Sequence, residues 1–138
     1  MEESPHLGGC LCGAVRYELH GVVRHLCYCH CTSCRRAAGA PMVAWGTVAR
    51  EDFRVTRGSL STYRSSPAVL RTFCAQCGTG ISYRHEARPQ DIDVALAALD
   101  EPARLAPQTH VWVAEKLPWV QIADDLPRFP AGFPSPAF

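Results

Sequence analysis

Apolar positions along this chain come in short runs and alternations, broken by Gly, Pro, Asp or Thr. Nowhere do they keep the roughly 3.6-residue spacing of a long amphipathic helix. Residues 14–20 alternate with Val15 and Tyr17 on one face, and 26–31 and 42–48 are short apolar runs bounded by turn formers; all three read as strands. Further strands are expected at 53–56, 60–63, 70–73, 80–83, 93–98, 110–113 and 119–122. One short helical turn is expected at 33–38, capped by Thr32 or Ser33 and stopped by Gly39 and Pro41. So many short strands predict a mainly β fold, either a sandwich or a folded-over sheet. From about residue 127 the chain turns irregular, since five of its last twelve residues are Pro or Gly. That Pro/Phe-rich tail is expected to pack down or to be lent to a neighbour.

Composition narrows the class. A chain of 138 residues, 47% of them apolar, suits one domain over 1–138 that can bury a core yet still gains from metal cross-links. Lys and Arg number 14 against 13 Asp and Glu, and no cationic run tracks a nucleic-acid backbone, so no nucleic-acid partner is expected. The longest apolar stretch, 94–99, falls far short of the roughly 20 residues of a membrane span. The N-terminus lacks the basic and apolar regions of a signal peptide, which points to the cytoplasm. In that reducing compartment clustered cysteines read as metal ligands before they read as disulfides.

Eight cysteines fall into short clusters: Cys10 and Cys12; Cys27, Cys29, Cys31 and Cys34; Cys74 and Cys77. Residues two apart in an extended strand lie about 6.6 Å apart and face the same way, so their sulfurs can lean to the roughly 4 Å a shared zinc implies. Cys10 with Cys12, and Cys29 with Cys31, meet that condition. Cys27 and Cys31 would be about 13 Å apart in an extended strand, which leaves Cys27 out of the ligand shell as a small buried apolar residue. The gap from Cys31 to Cys34 suits a turn, and Cys74-Ala75-Gln76-Cys77-Gly78 is a zinc-knuckle sequence in which Gly78 supplies backbone freedom. The pairing puts Cys10, Cys12, Cys74 and Cys77 on one closed structural zinc. Cys29, Cys31 and Cys34 go on a second zinc with a vacant position, unless Cys27 or His30 closes that shell.

The stretches 9–17 (Gly-Cys-Leu-Cys-Gly-Ala-Val-Arg-Tyr), 29–41 (Cys-His-Cys-Thr-Ser-Cys followed by Arg35 and Arg36) and 73–78 (Phe-Cys-Ala-Gln-Cys-Gly) resemble the glutathione-dependent formaldehyde-activating enzyme family, whose domain also occurs in the centromere protein V group. The segment 110–129, with Trp112, Lys116, Trp119 and Asp124, is similar to the family's C-terminal motif. The resemblance implies an Mss4-like zinc-binding β fold, a structural zinc on the outer two pairs and a catalytic zinc on Cys29, Cys31 and Cys34. It also implies an activity classed as a carbon-sulfur lyase, joining glutathione to formaldehyde as S-hydroxymethylglutathione. Asp125 stands where the family commonly has Gly, and Cys27 is an addition to the pattern.

Three thiolates leave a zinc site at a formal charge of −1, a weak generator of hydroxide but a good host for a fourth sulfur. The expected chemistry is therefore thiolate capture followed by addition to a small aldehyde, or the reverse cleavage. Arg35, Arg36 and Arg16 are the cations nearest the cysteines in sequence and are candidates for the carboxylates of glutathione. His30 is expected to point away from the metal, with a proton-transfer role as its functional alternative. His110, Trp112 and Trp119 are expected to pack or line a pocket, Asp124 and Asp125 to form a turn, and Tyr63, Tyr83 and His85 are given no role. A non-catalytic zinc module that binds protein is the competing class, and a thiol redox switch through Cys27 is a third. The sequence leaves a homo-oligomer open.

Overall fold

The computed structural model describes residues 4–134. Ten strands and one α-helix run in the order β1 (His6–Gly9), β2 (Arg16–Leu19), β3 (Arg24–Cys29), α1 (Thr32–Ala38), β4 (Val43–Ala49), β5 (Phe53–Arg57), β6 (Ser61–Ser66), β7 (Val69–Phe73), β8 (Gly80–His85), β9 (Asp91–Ala95) and β10 (Thr109–Val111). They form a three-stranded sheet, β1-β2-β5, and a seven-stranded sheet, β10-β3-β4-β9-β8-β7-β6. Every pairing is antiparallel except β10 beside β3. The fold is mainly β.

The alternation read at 15 and 17 runs from the residue before β2 along its inner face: Val15, Tyr17 and Leu19 are all buried. They pack with Leu26, Val48, Ile81 and Val94 of the larger sheet and with Leu96 and Leu99 to make the main core. Full burial of one such side chain contributes about 1.5–3 kcal/mol. A second, smaller cluster joins Cys27, Cys29, Cys34 and Val111 to Trp45, Phe129 and Phe133. There the tail packs down: His110 N–H donates to the Pro127 carbonyl (2.8 Å), Phe129 N–H to that of His110 (2.9 Å) and Trp112 N–H to that of Ala131 (2.9 Å). Residues 135–138 of the expected tail lie outside the described residues.

Several boundaries differ from the sequence reading for local reasons. Strand β1 has two glycines among its four residues and little side-chain pattern to announce it. Residues 119–122 form no strand; Trp119 is 70% exposed, and Lys116 Nζ donates to the Val120 carbonyl (2.6 Å). The strand expected at 93–98 ends at Ala95, where Leu96–Ala98 tightens into a 3-10 turn. Helix α1 is capped by Cys31, not by Thr32 or Ser33: the Cys31 Sγ accepts the Cys34 N–H at 3.3 Å, and Gly39 ends the helix. Strand β3 stops at Cys29, so Cys31 is not its next alternate residue.

Candidate metal centres and cleft

The first cysteine group is built from two turns of matching design. Gly13 N–H bonds the Cys10 carbonyl (3.2 Å) and Val15 N–H the Cys10 Sγ (3.2 Å). In the other turn Gly78 N–H bonds the Cys74 carbonyl (2.8 Å) and Gln76 N–H the Cys74 Sγ (3.4 Å). Gly13 and Gly78 hold φ of 82° and 81°, backbone that L side chains resist. Cys10 and Cys12 therefore meet on a turn between β1 and β2 and not along a strand. The turns are joined by Thr79, whose Oγ1 accepts the Leu11 N–H (3.1 Å) and lies 3.2 Å from Cys77 Sγ. That hydroxyl contact is the first cause drawing the Cys77 thiol down to about 5. Cys12 Sγ is 3.6 Å from Cys10 Sγ and 3.8 Å from Cys74 Sγ, and all four sulfurs lie within 4.8 Å of one another. A tetrahedron with zinc–sulfur bonds of about 2.3 Å has edges of about 3.8 Å, so this donor set fits a closed four-thiolate zinc.

The second group comes from one strand-to-helix junction. Cys29 ends β3, Cys31 caps α1 and Cys34 lies in its first turn, again with sulfurs within 4.8 Å. Hydrogen bonds from the Cys29 and Cys31 thiols, then the nearby Arg71 charge, pull Cys34 down to about 2, while the same sharing pushes Cys29 up. Three such sulfurs, as thiolates, fit a zinc that keeps one position open. Among the described residues neither Cys27 nor His30 joins the group. Cys27 is buried in the second cluster, and burial pushes its thiol up to about 12. His30 turns the other way and is fully buried, its Nε2 2.9 Å from His110 Nδ1. His110 Nε2 lies 2.9 Å from Asp124 Oδ2, and Tyr28 stacks on the His110 ring at 4.8 Å. Asp124 also accepts the Leu126 N–H at 3.0 Å, so it forms the expected turn and ends this buried chain as well.

The second group lines a cleft, whereas the first, with Cys12 exposed, does not. A cleft of about 480 Å³ is lined by Cys29, Cys31 and Cys34 and by none of the first four cysteines. Arg71, Tyr83 and Trp45 also line it, as do Thr47 and Asp93, whose side chains bond at 2.6 Å. A bulge in β3 between Arg24 and Cys27, with His25 at φ 53°, brings the His25 ring to the cleft and against Phe133. Trp112, also at positive φ, and Glu115 complete the rim.

The arginines singled out by sequence are not brought to this cleft. Arg35 donates Nε to the His30 carbonyl (3.3 Å) and Nη2 to Thr32 Oγ1 (3.1 Å) and the Glu115 carbonyl (3.3 Å), tying α1 to the segment after β10. Arg36 is exposed on α1 and does not line the cleft. Arg16 is engaged by Asp100 through both Nη groups. Trp119 is also absent from the cleft, whereas Tyr83 and His85, given no role in advance, line it. Arg71 was missed because it is 37 residues from Cys34 and is related to it only through the strand order β3-β4-β9-β8-β7 of the larger sheet.

A model of the family described as glutathione-dependent formaldehyde-activating enzyme matches residues 5–115. The chain belongs to that family. Of the segment expected to carry its C-terminal motif, 116–129 lies beyond the matched stretch. A Halomonas elongata protein named "Putative glutathione-dependent formaldehyde-activating enzyme" is 29% identical over 92% of this chain and 87% of its own length. A Schizosaccharomyces pombe protein, named only as an uncharacterized lyase, is 28% identical over 56% of each chain. A crystal structure of a Rhodobacter sphaeroides protein superposes with a TM-score of 0.58 at 23% identity, covering 89% of this chain and 98% of the other, and shares the fold.

Proposed function

We propose that the chain is a zinc-dependent lyase-type enzyme that makes or cleaves the carbon–sulfur bond between glutathione and formaldehyde or a related small carbonyl. The observation that carries this reading is the asymmetry of the two cysteine groups. Four sulfurs close on one another away from the cleft, and three stand at its wall. Zinc held by Cys29, Cys31 and Cys34 would supply an open position that suits a soft sulfur and favours its thiolate. The chain's own part is to hold those sulfurs through the Cys31 cap of α1, and to shield one side of the site with Trp45 and Tyr83. In the reaction the thiol gives its proton to water and its sulfur bonds the carbonyl carbon. The carbonyl π bond opens onto oxygen, which takes a proton from water in the cleft; cleavage is the reverse. The reading sets the enzyme among the small thiols of a reducing cytoplasm. It is tested by elemental analysis, expected to give two zincs per chain, together with exchange NMR on labelled formaldehyde and glutathione. Exchange faster than the uncatalysed rate, abolished in Cys34→Ser, is the expected result. Two zincs with no acceleration would refute catalysis.

A further inference from the structure

Five arginines of the described residues pair with carboxylates: Arg16 with Asp100, Arg24 with Asp91, Arg64 with Glu86, Arg88 with Asp91 and Asp93, and Arg104 with Glu101. Arg71 lines the cleft, and among the described residues no carboxylate lies within ion-pair distance of it. Its side chain is nonetheless fixed. Nε donates to Ser65 Oγ at 3.1 Å, and the guanidinium carbon sits 5.0 Å from the centre of the Tyr83 ring. Both Nη groups stand 3.9 Å from Cys34 Sγ, a weak contact that leaves most of their donor capacity unspent. A half-buried, preorganised fork with no carboxylate of its own is the arrangement that binds one through two parallel hydrogen bonds.

We propose that Arg71 anchors a carboxylate of the thiol co-substrate and makes this cleft selective for anionic over neutral thiols. The inference rests on the thiol reading given above and names the feature of the thiol that is recognised. A zinc held by three thiolates carries a formal charge of −1, and Arg71 brings the site to neutrality, so an anionic ligand enters without net repulsion. The other basic groups of the cleft are placed differently: Arg88 is committed to Asp91 and Asp93, His25 packs on Phe133, and His85 Nδ1 accepts the Ala87 N–H at 3.1 Å. Arg71 stands directly beside a sulfur of the trio, Cys34 Sγ.

The test is calorimetric binding of glutathione and of its diethyl ester to the zinc-loaded protein, with no turnover involved. The pair shares its thiol and differs in its carboxylates. Wild type is expected to prefer glutathione by about tenfold or more, the range of a charge-assisted hydrogen bond. Arg71→Ala should abolish the preference with zinc content and circular dichroism unchanged, and Arg71→Lys should restore part of it. Arg64→Ala, which removes the same charge from the neighbouring strand outside the cleft, should leave the preference intact. Equal binding of both ligands by wild type, or a preference that survives Arg71→Ala, overturns this inference alone. An equal loss in Arg64→Ala overturns it too, by assigning the effect to long-range charge. Failure of both ligands to bind overturns it together with the thiol reading.

Discussion

Cys27 and Cys29 lie two apart on one face of β3, yet only Cys29 reaches the sulfur group, because α1 turns Cys31 and Cys34 toward the end of the strand. The extended strand through Cys31 on which spacing separated them does not exist, since β3 ends at Cys29. Cys27→Ala is therefore expected to keep the metal content of wild type while losing about 1 kcal/mol to the small void it leaves, measured by elemental analysis and denaturant unfolding. Gly13 and Gly78 offer a cleaner residue-scale test. An added Cβ at either would meet no atom within 4 Å, so Gly13→Ala and Gly78→Ala cost only the positive φ, about 1 kcal/mol each. Gly78 was legible from the knuckle sequence. Arg71 was not, because the cysteines near it in sequence, Cys74 and Cys77, belong to the other group, and Cys34 is 37 residues away.

Helix α1 has only seven residues and is held from outside. Glu115 Oε1 accepts the Thr32 N–H at 2.8 Å, and that bond holds its carboxyl below the usual range. His110 likewise holds Asp124 down. For each acid the folded pKa is lowered, so its contribution is complete above the ordinary value, 4.5 for Glu115 and 3.8 for Asp124, and is lost as pH falls through the folded value. Glu115→Gln and Asp124→Asn should each melt lower than wild type at neutral pH and converge with it in acid, as thermal unfolding against pH would record. His110→Ala leaves the His30 Nε2 buried without its partner and should cost about 3 kcal/mol. Because His30 sits between Cys29 and Cys31, cobalt titration of that variant should weaken at the three-sulfur group and not at the four-sulfur group. Most strands were legible, since their alternation survives in the fold. The α1 cap, β1 and the 119–122 segment were not, because a thiol cap and glycine pairing carry no apolar pattern, and Trp119 mimics a strand residue while lying at the surface.

Over the whole molecule, the four-sulfur group joins the turn after β1 to the loop before β8, across 62 residues between Cys12 and Cys74. Chelation, or Cys74→Ser, should therefore lower Tm by roughly 10 °C or more, whereas Cys34→Ser should lower it less, as differential scanning calorimetry would show. No helix among the described residues is long and apolar enough to cross a membrane. The sequence by itself determined the strand-rich class, the family and which cysteines gather with which, because short-range spacing and side-chain type carry that information. Tertiary structure alone decided that three sulfurs face a cleft, that buried His30 and His110 form one hydrogen-bonded chain ending at exposed Asp124, and that Arg71 and not Arg35 or Arg36 stands beside the trio. Those relations depend on strand order, which places residues distant in sequence side by side and follows from how whole sheets bury their apolar faces.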